Sequence, residues 1–264
     1  MQPQTGLREP PRRRPASTVL PWRRGATLAG LSWAAFALFA QQAGLNQLSA
    51  LEREQGWVLL FDGKTTQGWR SFRSVAVPKC WNVQDDALHL EVPPADHGGH
   101  DLISQKTYEN FDLQWDWKLA SKGNSGLKYF VSDQRRTPLG HEYQMLDDLN
   151  YHLSQEGDHS ADFRNTKHGT AAFYDVLAPS GVELRPIGQY NHSRVLVSGN
   201  HVEHWLNGRK VLEYELGSPA VLEAVAHSKF KTVPGFGQRL AGHLLLQDHG
   251  DEVWFRNIKI RVLP

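Results

Sequence analysis

Val202-Glu-His-Trp-Leu206 and Lys210-Val-Leu-Glu-Tyr214 flank Asn207-Gly208, and this stretch decides the fold. Both central residues of a two-residue hairpin turn must accept positive φ. Asn-Gly between two alternating runs is therefore the strongest short-range signal of a β-hairpin. The same grammar extends in both directions. Trp115, Trp117 and Leu119 alternate with Asp116 and Lys118 inside Phe111–Leu119. Leu127–Val131, Glu142–Leu146, Arg194–Val197 and His243–Gln247 are further short runs, and Glu252–Leu263 closes a last hairpin across Asp248-His-Gly-Asp251. Gly123-Asn-Ser-Gly126 reads as a turn before Leu127. After Gly44 no helical stripe is sustained, apart from a turn or two around Ala220–Ala226. Many short strands without intervening helices predict antiparallel sheets packed face to face in one all-β sandwich.

Composition narrows the function. The chain has 264 residues and a formal charge of +1. Residues 1–25 carry six arginines (8, 12, 13, 14, 23 and 24) and one acid (Glu9), which makes them +5. The remaining 239 residues carry 23 bases and 27 acids, or −4. A folded body of that sign repels phosphate, so nucleic acid is not an expected partner. Cys80 is the single cysteine, which excludes an intrachain disulfide framework and a Cys-rich zinc module. No phosphate-binding glycine loop, GxSxG elbow or HExxH pair is present.

After Arg23-Arg24 comes an uncharged apolar run, residues 26–40. A basic segment followed by such a run predicts an export signal, and its length is short for a spanning helix. A cut after Ala40 would place Leu38 at the −3 position, so an uncleaved tether through residues 26–44 stays open. The expected organisation is an export signal or anchor over 1–44, a linker over 45–55 and the sandwich over 56–264. The expected location is periplasmic or secreted. The oligomeric state is left open.

Strand alternation sorts the polar residues by face. Glu142 and Gln144 oppose Tyr143 and Met145, while His243, Leu245, Gln247 and His249 share a face. Val202, His204 and Leu206 oppose His201, Glu203 and Trp205. Glu142, Gln144, Gln247 and His249 can thus meet on one concave sheet, with His204 joining if its strand presents that face. Asp147-Asp148 can shift a pKa by like-charge pairing or bind a cation. Each residue also has an ordinary reading: a solvated strand charge, a turn residue or a core histidine.

The ordered segments Trp57-Val-Leu-Leu-Phe-Asp-Gly-Lys64, Trp81-Asn-Val-Gln-Asp-Asp-Ala-Leu88, Glu142-Tyr-Gln-Met-Leu-Asp-Asp148, Gly199-Asn-His-Val-Glu-His-Trp-Leu-Asn-Gly208 and Gly242-His-Leu-Leu-Leu-Gln-Asp-His-Gly-Asp251 resemble the 3-keto-disaccharide hydrolase family. The resemblance covers Gly56 to Leu263. It implies a concanavalin-like jelly roll, a small carbohydrate substrate and cleavage of glycosides oxidised to a ketone at C3. Such a ketone acidifies the C2 proton, so β-elimination followed by hydration gives net hydrolysis. That route needs a base, a proton donor for the leaving oxygen and an electrophile at O3. The expected catalytic residues are Glu142, His204 and His249, with Glu142 or His249 as base. Asn124, Gln144, Gln247 and Trp205 are expected to bind substrate. A divalent metal held by Asp147 and Glu142 is an expected candidate for the electrophile. The competing expectation is a non-catalytic carbohydrate-binding module of the same fold.

Overall fold

The computed structural model describes residues 44–92, 98–151 and 162–264. The leader expected over 1–44 lies outside the described residues, except for Gly44. Two antiparallel sheets make up the body. One has eight strands. These are β1 (Trp57–Leu59), β3 (Trp81–Gln84), β4 (Ala87–Leu90), β6 (Phe111–Leu119), β9 (Asn191–Ser198), β10 (His201–Leu206), β11 (Arg209–Glu215) and β13 (Val253–Val262). They run in the order β11-β10-β9-β6-β13-β4-β3, with β1 paired to the far end of β13. The five-stranded sheet is ordered β2 (Trp69–Ser71), β5 (Leu102–Tyr108), β12 (Gly242–Leu246), β7 (Asn124–Val131) and β8 (His141–Leu146). This is the all-β sandwich expected from the pattern and the jelly roll that the resemblance implies.

The Asn-Gly hairpin joins β10 to β11, with Asn207 at φ 49° and Gly208 at φ 85°. Trp115 and Trp117 point into the core while Asp116 and Lys118 point out, as alternation requires. Helix α2 (Pro219–Ala226) starts with the Ser218 side chain accepting from Val221 N and buries Val221 and Val225.

Three local expectations change. The last hairpin does not form, because β12 pairs with β5 and β7 in the smaller sheet and β13 with β4 and β6 in the larger, so the chain crosses between layers at Asp248-His-Gly-Asp251. Asn124-Ser-Gly126 is the start of β7 rather than a turn, because its backbone pairs with Leu146, Met145 and Gln144. Residues 45–55 are docked rather than free. They contain α1 (Ala50–Glu54), which a Ser49–Glu52 capping box starts. Asn46 and Asn257 also exchange hydrogen bonds: Asn46 N donates to Asn257 Oδ1 at 2.7 Å, and Asn257 N donates to Asn46 Oδ1 at 2.8 Å.

The sheets enclose an aromatic core with a polar seam. His204, 0 % exposed, gives Nδ1–H to the Ala171 carbonyl at 2.9 Å. Its Nε2 is left to accept from Tyr129 at 3.0 Å, and the Tyr129 oxygen meets the Tyr214 hydroxyl at 2.5 Å. Trp117 donates to Ser193, which donates to the Tyr143 hydroxyl, each at 2.8 Å. Because Tyr129 and Tyr143 lie on the smaller sheet and His204 and Ser193 on the larger, these bonds tie the layers together.

Candidate active site

The site stands on the outward face of the smaller sheet, where β12, β7 and β8 run side by side. Register does the assembly. Lys128 is opposite Glu142 and Gly126 is opposite Gln144, while Leu245 is opposite Lys128. One step beyond β12, Gln247 N donates to the Gly126 carbonyl at 2.9 Å, which carries the same phase onward. Asn124, Lys128, Glu142, Gln144 and Gln247 therefore share one face and line an open cavity of about 100 Å³. His249 stands exposed at its mouth. Its turn is fixed by Asp248, whose carboxylate accepts from His100 N at 3.1 Å and Gly250 N at 2.9 Å. Asp101 accepts from Asp248 N at 2.8 Å, and burial raises its pKa against the opposing field of Lys128.

Glu142 is the centre of the cavity. The residue is 6 % exposed, and its side chain lies across Gly126, where an added Cβ would come 2.5 Å from Oε1. With its amide turned so that the nitrogen faces acceptors, Gln144 donates to Glu142 Oε1 at 3.2 Å and to the Ser125 carbonyl at 2.9 Å. Lys128 Nζ is 3.8 Å from Glu142 Oε2, within ion-pair range but longer than a hydrogen bond.

Two loops complete the wall. Residues 171–174 bond the free edge of β8, through Ala171 N to the Gln144 carbonyl at 2.9 Å and Tyr174 N to the Glu142 carbonyl at 3.1 Å. That places the Tyr174 ring in the cavity, and burial followed by the Glu142 charge pushes its pKa up to about 12. After α2, the Asp175 carboxylate accepts from Lys229 N at 2.7 Å, and Lys229 Nζ lies over the Tyr174 ring at 4.1 Å. Desolvation lowers the Lys229 pKa, and Glu142 opposes the shift.

Five of the residues expected from sequence converge here: Glu142, Gln144, Asn124, Gln247 and His249. Three do not. His204 is sealed in the core seam on the opposite sheet, where burial lowers its pKa to about 4. Its strand mates Val202 and Leu206 carry it to the apolar face, so it cannot reach a substrate in this cavity. Trp205 faces outward on that larger sheet, with its indole donating to Glu203 at 2.8 Å and Arg194 over its ring. Asp147 accepts from Lys122 N at 2.8 Å and from Asn150, so it caps a turn. Its neighbour Asp148 is raised to about 6, chiefly by burial rather than by like charge.

The expected metal pair is therefore not assembled. Glu142 has an ammonium beside it where a second ligand would stand, so the residues here do not fit a divalent ion. Among the described residues, His201, Glu203 and Glu213 do cluster on the larger sheet. Lys210 already sits between those carboxylates, 3.2 Å from Glu203 and bonded to Glu213.

Lys128, Tyr174 and Lys229 were not expected. Lys128 had a legible signal, since it alternates with Leu127 and Tyr129. The other two arrive on loops, and their placement depends on long-range pairing.

A β-sandwich with an open polar cavity on one sheet defines the class, and comparison with known proteins fixes the family. Residues 56–261 match the 3-keto-alpha-glucoside-1,2-lyase-like domain, and the chain belongs to that family. It is 30% identical to a 3-keto-disaccharide hydrolase of Bacteroides thetaiotaomicron, over 84% of this chain and 83% of that one. A crystal structure from Parabacteroides distasonis ATCC 8503, provisionally described as a glycosyl hydrolase, superposes with a TM-score of 0.75 at 34% identity, covering 84% of this chain and 100% of that one. A second structure from the same organism, described in the same way, gives 0.59 at 26% identity, covering 78% and 99%.

Proposed function

We propose that this protein cleaves 3-keto-glycosides by elimination and hydration. The observation that carries the reading is the charge pattern of the cavity. Among the described residues lining it, Glu142 is the one carboxylate, accompanied by two ammonium groups. Ordinary glycosidases place two carboxylates across the scissile bond. A C3 ketone removes that need, because one base suffices to start the reaction.

Glu142 takes the C2 proton, the C2–H electrons form C2=C3, and the carbonyl π pair moves to O3. The enolate then collapses, its electrons form C1=C2, and the C1–oxygen bond breaks. His249 at the mouth protonates the departing oxygen. Water adds at C1 of the enone and loses its proton to His249, while Glu142, its proton exchanged with solvent, protonates C2. The net change is one glycosidic bond hydrolysed. Asn124, Gln144 and Gln247 supply amides for substrate hydroxyls and for holding Glu142. The names of the family and of the Bacteroides relative support this substrate class. The basic segment and the apolar run at 26–40 support export, either to the periplasm or outside the cell. Fractionation and N-terminal sequencing of the mature chain test that part.

The decisive experiment is Glu142→Gln assayed on a 3-keto-disaccharide. Loss of a positioned base is worth ~10²–10⁴-fold in rate. Wild-type turnover in D2O should also place deuterium at C2 of the product. Turnover that survives the substitution, or product without deuterium at C2, refutes the mechanism. Retention on a sugar column without any turnover points instead to a binding module.

A further inference from the structure

Lys128 has an unusual position for a lysine. It is 8 % exposed, buried almost as deeply as Glu142, yet it lies on the outward face of β7. Lysines are rarely so buried without a partner. The ammonium approaches Glu142 only to 3.8 Å, and among the described residues no hydrogen-bond acceptor stands against it. The side chain lines the cavity, so its N–H groups are aimed into the space a ligand would fill. Lys229, the other cation, differs on each count. It is exposed at the rim, and the Tyr174 ring already receives its charge.

We infer that Lys128 binds the C3 ketone oxygen and stabilises the enolate that forms there. This inference rests on the elimination reading above and adds the electrophile that reading requires. The geometry supports it. In the cross-strand pair, a carboxylate and an ammonium stand side by side over one sheet face. A substrate can present its C2–H to one and its adjacent carbonyl oxygen to the other. As the C2–H electrons move toward O3, negative charge leaves the carboxylate and appears on the oxygen that faces the ammonium. The cation is thus adjacent to the charge before and after transfer, and little reorganisation is needed. The same Nζ–H groups lack another acceptor among the described residues and open onto the cavity, so a bound substrate oxygen can take a hydrogen bond from them. A divalent ion at O3 would have to displace this ammonium, and the inference dispenses with it.

The experiment uses the full chain, a 3-keto-disaccharide and its unoxidised parent. Lys128→Met keeps the length of the side chain and removes its charge, and Lys128→Arg restores a cation. The expected result is a ~10²–10³-fold loss of kcat/KM in the Met variant, the range seen when one oxyanion donor is removed. C2 exchange in D2O should fall in parallel, and the Arg variant should recover part of both. Affinity for the parent disaccharide should change far less than turnover of the ketone. A folded Met variant that exchanges and cleaves within threefold of wild type overturns the inference while leaving the elimination reading intact. If the wild type itself neither exchanges nor cleaves, the reading beneath it fails instead. Should the Met variant not fold, a crystal structure of Glu142→Gln with bound 3-keto-disaccharide decides: Lys128 Nζ within hydrogen-bond reach of O3 supports the assignment, and a separation beyond ~4 Å overturns it.

Discussion

Gly126→Ala is the sharpest test of how the base is held, because it alters neither a charge nor a hydrogen-bonding group. The new methyl carbon would lie 2.5 Å from Glu142 Oε1 and 3.1 Å from its Cδ and Cγ. Ordinary contact begins near 3.4 Å, so the carboxylate has to retreat by roughly 1 Å. The backbone raises no objection, since Gly126 is not among the residues at positive φ. The obstructing atoms belong to the far end of a flexible side chain, so the fold can absorb the change. Replacing a strand glycine also restricts the unfolded chain, which favours stability by about 0.4–1 kcal/mol where the native conformation suits alanine. The chemistry has no such latitude. Glu142 is placed by Gln144 on one side and Lys128 on the other. A 1 Å displacement of a reacting group is worth ~10²-fold in rate. The expected outcome is a ~10²-fold fall in kcat/KM on a 3-keto-disaccharide, with a melting temperature within a few degrees of wild type. Turnover within threefold of wild type would refute the claim that this glycine sets the base. A collapse of the melting temperature would show that the backbone, not Glu142, yields.

Two further outcomes follow from the core. His204→Ala removes both the acceptor for Tyr129 and the donor to Ala171, and leaves a cavity between the sheets. It should lower stability by about 3 kcal/mol while activity per folded molecule stays within a few-fold, as urea unfolding and active-site titration would show. A full-stability variant without activity would return His204 to the mechanism. Acidification should also weaken the fold. Burial lowers His204 to about 4 and His141 to about 3, whereas unfolded histidine titrates near 6.5. The unfolded chain therefore takes up the protons, and stability present above pH 6.5 is lost as pH falls toward 4. Each such histidine contributes up to about 1.4 kcal/mol per pH unit across its window. Asp148, raised to about 6, acts in the opposite direction because its folded form binds a proton first. The two histidines carry the largest shifts and outweigh Asp148, which predicts a lower urea midpoint at pH 5 than at pH 7, and a higher one would refute the assignment.

Sequence reading and structure agree on the Asn207-Gly208 turn and on strand phase, and part where turn signals fall inside a strand or between sheets. The Asn207-Gly208 hairpin follows from turn chemistry, and β6 has the bounds that alternation predicts. Glu142 and Gln144 fall on the open face because Tyr143 and Met145 demand the core. The His204 error has a definite source. Its phase was legible, since Val202 and Leu206 share its face. Alternation does not say which sheet a strand joins, and β10 joined the sheet opposite the cavity. The docked segment before Trp57 was missed because its contacts are polar and distant in sequence, with Asn46 bonded to Asn257.

The cavity also shows why β7 resists a simple reading. Its phase breaks after Lys128. Tyr129 and Phe130 both pack inward, Phe130 at φ 61°, and Val131 resumes the outward face opposite His243. This bulge lets two residues of β7 oppose one of β12. Without it, the stretch beyond Lys128 would present Phe130 to the open face and Val131 to the core. Sliding the register of β7 by one residue would instead turn Lys128 and Gly126 toward the core and bring Tyr129 beneath the carboxylate. The buried Glu142 would then lose its cation and the space its side chain occupies. The core aromatics and the charged pair therefore select the same register. The packing that stabilises the sheet is also what keeps a base and an ammonium 3.8 Å apart on its open face.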